Sequence, residues 1–148
     1  MTKKILFLVF SFGLSNIASA NVGFKSLKSK LTVENAYKKV EEKINSLGFT
    51  VFAKIDHQAN AKKAGLNLPP NIVIIFGKAK AGTKLMLESP EVGFDLPLKI
   101  QIYKSEKGSA INYPDVSLFK KKYQIKKETM ILSKIEGVLS KIATYASK

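Results

Sequence analysis

Residues 71–86 read NIVIIFGKAKAGTKLM, an apolar strand-like run leading into Gly77-x-x-x-x-Gly82-Thr83-Lys84. A glycine-framed turn after a buried strand can cradle phosphate with backbone N–H groups, and in working nucleotide loops a lysine directly after the second glycine reaches the β and γ phosphates. Here Thr83 precedes Lys84, which on a helix turns each side chain by roughly 100° from the place that chemistry needs. The order argues against nucleotide binding. What remains is a strand, a glycine turn, Thr83 starting a short helix, and Lys80 beside a cleft where backbone N–H groups could hold a small anion.

Four further residues could add chemistry to that turn. His57 is the one histidine, and imidazole is the side chain whose ordinary pKa suits proton transfer near neutrality. Its neighbour Asp56 points to the opposite side of an extended strand, so the two are no ready dyad, and Asp56 suits the N-cap of a helix beginning near Gln58. Asp95, in the GFDLP segment, can either accept backbone N–H bonds to hold a turn or pair with Lys80 at the mouth of a cleft. Tyr113, at the end of a hairpin, offers a hydroxyl. With one histidine and no cysteine the chain lacks the ligands of a zinc centre, no haem-attachment or serine-nucleophile motif is visible, and no cofactor or metal is expected.

The elements that must position these residues follow from hydrophobic spacing. Val22 to Lys30 suits a short strand, and Thr32 is placed to cap a helix in which Val33, Ala36, Tyr37, Val40, Ile44 and Leu47 share one face. FTVFAKID alternates as a half-buried strand with Val51, Ala53 and Ile55 on one side, and a short helix from Gln58 to Ala64 stops before Pro69-Pro70. NIVIIF is apolar at consecutive positions and reads as an inner strand covered on both faces. Leu98, Ile100 and Ile102 alternate into SEKG and then SAINY, a β-hairpin; Asp115 to Tyr123 suits a short helix. From Glu128 to Ala146 the stripe Ile131, Leu132, Ile135, Val138, Leu139, Ile142 and Tyr145 marks the clearest helix. The order predicts an α+β domain with a mainly antiparallel sheet of about five strands, helices packed on one face, and a long amphipathic C-terminal helix.

Composition bounds the setting. The first twenty residues carry Lys3 and Lys4, an apolar run from Ile5 to Leu14, and Ala18-Ser19-Ala20, the pattern of a secretory signal cleaved after Ala20. The expected mature chain, 21–148, has 148 − 20 = 128 residues, enough for a single domain. Its compartment is expected to be periplasmic or secreted, with no transmembrane segment after cleavage. All 25 basic residues are lysine, and the formal charge of +14 becomes 23 − 11 = +12 once Lys3 and Lys4 are removed. Without arginine, the side chain that forks onto guanine and phosphate, specific nucleic-acid binding is not expected.

The stretches FTVFAKIDH, NIVIIFGKAKAGTKLM, SPEVGFDLPLKIQIY and INYPD together resemble the family known as domain of unknown function 302, whose pattern runs Asp-His, then F-G-N-P-K-x-G-T-x-L-M, then D-L-P-L-K, then a hairpin ending in Y-N-x-P. The matching positions include Asp56, His57, Gly77, Lys80, Gly82, Thr83, Asp95 and Tyr113, while Lys78-Ala79 stand where the family has Asn-Pro and Asn112-Tyr113 replace Tyr-Asn. The resemblance implies a small α+β fold, often a homodimer, with no established activity. Residues and resemblance together lead to an exported, non-catalytic module that binds a small or anionic ligand or an envelope partner near Gly77, Lys80, Gly82, Thr83, Asp95 and Tyr113. A small cofactor-free enzyme using His57 as acid or base, with Lys80 or Thr83 stabilising an anion, is the alternative. A lysine-coated protein binding anionic surfaces is the third.

Overall fold

A computed structural model describes residues 23–148. The expected leader at 1–20 lies outside the described residues. Strand β1 (Phe24–Ser29) leads to helix α1 (Val33–Ser46), strand β2 (Thr50–Asp56), helix α2 (His57–Lys63), strand β3 (Asn71–Gly77) and helix α3 (Ala79–Glu88). A 3-10 turn at Pro90–Phe94 precedes the hairpin of β4 (Leu98–Ser105) and β5 (Gly108–Pro114); a second 3-10 turn runs into helix α4 (Phe119–Lys122), and helix α5 (Thr129–Ser147) closes the chain. The strands form one antiparallel sheet in the order β1-β5-β4-β3-β2, and this is the expected α+β architecture.

Local chemistry explains most boundaries. Thr32 caps α1 by accepting from the Asn35 N–H at 3.2 Å, and Gly48, at φ 66°, follows the helix in a conformation that other residues resist. Asp56 caps α2 by accepting from the Ala59 N–H at 2.9 Å, so the carboxylate beside His57 works as a cap. A two-residue turn, Glu106-Lys107, joins β4 to β5, with Ser105 opposite Gly108.

The helices α1 and α5 pack on one face of the sheet. There Ile74, Phe76, Ile100, Ile102 and Ile111 meet Val40, Ile44, Leu139 and Ile142, all fully buried. The stripe of α5 divides as burial requires: Leu132, Ile135, Leu139 and Ile142 are in the core, Ile131 and Val138 lie at its margin, and Tyr145 donates its hydroxyl to Glu42 at 2.9 Å.

Two strand assignments differ from the pattern. β3 is interior in the sheet, but helices cover one face of it only: Ile72, Ile74 and Phe76 are buried, while Val73 and Ile75 on the other face are half-buried. Consecutive apolar residues alone do not distinguish these two situations. In β2 burial alternates as expected, with Val51, Ala53 and Ile55 half-buried, but Val51 pairs with Phe76 and Ala53 with Ile75, a bulge at Phe52 that puts Val51 and Ala53 on opposite faces. Lys54 consequently faces the helices, where its Nζ lies 4.1 Å from the Tyr37 ring centroid.

Gly108 fixes how the hairpin meets the rest of the sheet. Its φ is 137°, and an added Cβ would stand 2.3 Å from the Ser29 carbonyl oxygen and 2.8 Å from the Lys30 carbonyl carbon. Backbone cannot yield to that contact as a side-chain tip could. Gly108→Ala is therefore expected to cost at least about 1–3 kcal/mol, the range for backbone strain alone, read as a lower midpoint in urea unfolding.

Candidate functional site

The structure separates the candidate residues. Helix α3 begins at Ala79, where Ala81 and Gly82 already donate to the Lys78 carbonyl, so Thr83 lies within the helix and does not start it. Its N–H is consequently not one of the outward-facing donors of a helix start. The apolar-to-glycine transition suggests a turn as far as Gly82, whereas Gly82 lies inside the helix facing Leu96 and Met86, where an added Cβ would make ordinary contact with Leu96 at 3.7 Å.

The end of the sheet formed by Gly77, Leu98 and Pro114 carries two cavities. One, of about 240 Å³, lies under α3 between Phe49, Phe52, Met86, Leu96 and Pro97, with Gly77, Gly82 and Thr83 in its wall. Lys78, not Lys80, reaches its margin, and the Lys78 Nζ stands 4.7 Å from the Phe49 ring centroid. Lys80 is exposed in the first turn of α3. The other cavity, of about 390 Å³, lies on the uncovered face of the sheet and its wall includes Asp95 and Tyr113. The GFDLP segment is the partition: Asp95 lines the larger cavity and Leu96-Pro97 the smaller.

His57 belongs to neither. It is exposed at the first position of α2, beyond the end of β2 where Asp56 faces Ile72, while Gly77 faces Thr50 at the opposite end. Six steps of strand separate those ends, roughly 20 Å at the usual rise per residue. The set His57, Lys80, Asp95 and Tyr113 does not converge.

Asp95 does not pair with Lys80. Its Oδ2 accepts from Lys122 Nζ at 2.7 Å and from the Tyr123 hydroxyl, so the carboxylate ties the partition to α4. Burial is the largest single influence and pushes its pKa up, but the hydrogen bonds from Lys122 and Tyr123, with the charges of Lys122 and Lys99, outweigh it and hold the group below the usual 3.8. A second carboxylate, Glu88 at the end of α3, accepts from the backbone N–H groups of Lys126 at 2.6 Å, Lys127 at 2.8 Å and Glu128 at 2.8 Å. Those bonds, that from Lys127 foremost, lower its pKa. Neither role has a local sequence signal, because each partner is 27 to 40 residues away.

Across the uncovered face runs a ladder of carboxamides. Gln101 Nε2 donates to Asn71 Oδ1 at 3.2 Å, and Asn112 Nδ2 donates to Gln101 Oε1 at 3.2 Å. The ladder ends on Asn112 Oδ1, which is buried without a partner among the described residues. Among the described residues no group of His, Asp and Glu is arranged to hold a metal ion.

A five-stranded antiparallel sheet backed by helices on one face, with a glycine-bearing helix roofing an apolar cavity at its end, defines a small α+β domain. The pattern of the family described as Domain of unknown function DUF302 matches residues 25–142, and the chain belongs to that family. A crystal structure of an uncharacterized conserved DUF302 protein from Bacillus stearothermophilus superposes with a TM-score of 0.75 over 86% of this chain and 99% of that one, at 16% identity. That likeness is one of fold. The chain is also 38% identical over 86 residues to the Fluoride-specific ion channel FluC 1 of Brucella suis biovar 1 (strain 1330), 58% of this chain and 34% of that protein. For the Fluoride-specific ion channel FluC 2 of Brucella melitensis biotype 1 the identity is again 38% over 86 residues, 32% of that protein. The matched stretch thus spans about a third of these curated relatives.

The first turn of α3 lacks a capping side chain: Lys78, whose φ of −126° and ψ of 115° suit a cap, makes no cap bond, and Ala79 occupies the first helical position, where proline is well accommodated. The double change Lys78→Asn, Ala79→Pro is expected to stabilise the protein by about 1 kcal/mol, read in chemical denaturation, with the lost cation–π contact to Phe49 offsetting part of the gain.

Because the folded-state pKa of Asp95 is depressed, its contribution is present above the ordinary value of 3.8 and is lost as pH falls through the lower folded value. Solvent screens the half-exposed Lys122 side of the pair, so Asp95→Asn is expected to cost on the order of 1 kcal/mol at neutral pH. In melting curves the gap between wild type and variant should narrow below pH 3.8.

Proposed function

We propose that this DUF302 protein is an exported, non-catalytic module that holds a small amphipathic anion in the cavity beneath α3. The observation carrying this reading is the cavity itself: apolar and aromatic walls around Gly77, Gly82 and Thr83, with the Lys78 ammonium at the margin. Such a pocket suits an apolar body with one negative group. Acid–base catalysis is the weaker reading because His57 lies at the far end of β2, away from either cavity.

The leader-like residues 1–20 support export, and the occurrence of a similar stretch inside proteins named as fluoride-specific ion channels supports a place beside the cell envelope. Fluoride passage is not carried over to this chain. No described helix is long and apolar enough to cross a membrane. A homodimer is proposed on the same footing, and sedimentation velocity should return the mass of two chains.

Octanoate, titrated and followed by amide chemical shifts, tests the binding reading. Shifts should centre on Gly77, Gly82 and Thr83, and Gly82→Leu, which points a side chain toward Leu96 and Met86, should weaken binding at least tenfold while His57→Ala leaves it unchanged. No shift at that turn, or equal binding by Gly82→Leu, overturns the reading.

A further inference from the structure

We propose that the larger cavity, on the uncovered sheet face beneath the segment from Asp115 to Lys122, is a second and separate ligand site, for a small apolar carboxylic acid that also carries a hydroxyl or amine donor. Its volume of about 390 Å³ is in the range of small-molecule sites, and Phe24, Val73 and Leu118 supply apolar walls. Two polar features in those walls lack protein partners.

The first is Asn112 Oδ1, the end of the carboxamide ladder. Asn112 stands opposite Gln101 and Asn71 diagonal to it, and the donations run from Asn112 to Gln101 to Asn71, so the ladder leaves one acceptor over, on a residue of the cavity wall. A buried acceptor without a donor calls for one from a ligand or a water.

The second is Lys99. Of the other charges of the lining, Asp95 pairs with Lys122 at 2.7 Å, and Asp115 lies 3.5 Å from Lys25, which it shares with Glu136. Among the described residues Lys99 makes no ion pair, so it is the cation of the lining that no carboxylate holds and that a bound anion can meet. Gln101 faces Asn112, and Lys99 is two residues before Gln101 on the same face, which makes Lys99 and Asn112 a diagonal pair, roughly 7–8 Å apart along the backbone. A single small molecule can span that separation with a carboxylate at one end and a donor at the other.

The probe is 4-hydroxyphenylacetate, compared with phenylacetate, which lacks the donor, and tyramine, which lacks the carboxylate. With the full exported chain, amide shifts should appear at Val73, Gln101 and Asn112, and 4-hydroxyphenylacetate should bind at least tenfold more tightly than either comparison compound. Asn112→Leu should remove the preference over phenylacetate, and Lys99→Met the preference over tyramine. Lys99 is exposed, so the second variant tests the proposal even where the first unfolds. No shifts at these residues, equal affinity for the three compounds, or shifts confined to Gly77–Thr83 would overturn it. The last outcome would leave the octanoate site standing, and loss of octanoate binding would leave this one standing.

Discussion

The sheet is covered on one side only, and the rest of the molecule is arranged around that asymmetry. With no cysteine in the chain, the interior depends on packing α1 and α5 against Ile74, Phe76, Ile100, Ile102 and Ile111. Burying a large aliphatic side chain is worth roughly 1.5–3 kcal/mol, so this face carries most of the favourable free energy of folding. The opposite face keeps half-buried Val73 and Ile75 beside the carboxamides of Asn71, Gln101 and Asn112. A face of that mixed character tolerates water yet offers both apolar contact and directional hydrogen bonds, which is why the polar ladder belongs there and not in the core.

The same asymmetry sets where cavities can form. Strands β3, β4 and β5 meet at the end defined by Gly77, Leu98 and Pro114, and the chain must cross that end through the GFDLP segment to pass from α3 into β4. The segment cannot fill the space on both sides of itself. Leu96 and Pro97 turn toward α3 and Asp95 toward α4, leaving an apolar cavity on one side and a more polar one on the other. Gly77 matters to the first because a Cβ there would approach the Phe52 ring at 3.2 Å. The bulge that brings Phe52 to that position is thus part of the cavity's construction.

Much of the fold was legible because burial on one face leaves a period in the sequence. The stripes of α1 and α5, the Thr32 and Asp56 caps, and the hairpin turn all follow from spacing within a few residues. Where spacing is ambiguous the pattern misleads. The run NIVIIF cannot report whether its second face meets a helix or only a cavity, and Phe52 carries no mark that it is the bulged residue. The pattern places the start of α3 late, at Thr83, because Lys78 and Ala79 are neither a capping side chain nor proline, so the usual signal is missing although the helix begins at Ala79. For the site, the contribution of Gly77, Gly82 and Thr83 to one wall was legible, whereas Lys122 and Tyr123 as partners of Asp95 were not, since that contact is a product of tertiary folding.

Those long-range contacts give the acidic residues an unusual importance in a chain with 25 lysines and 11 carboxylates. Glu88 gathers the three N–H groups that lead into α5, and Asp95 holds α4 against the partition between the cavities. Asp115 and Glu136 share Lys25, which links β1 to the segment after β5 and to α5. The last third of the chain is therefore fastened to the signature segment by carboxylates at fixed positions, and the surplus of lysine stays on the surface where water screens it. Within the GFDLP segment Asp95 is held by Lys122 and Tyr123, so the partition between the two cavities is itself tied down by the last third of the chain.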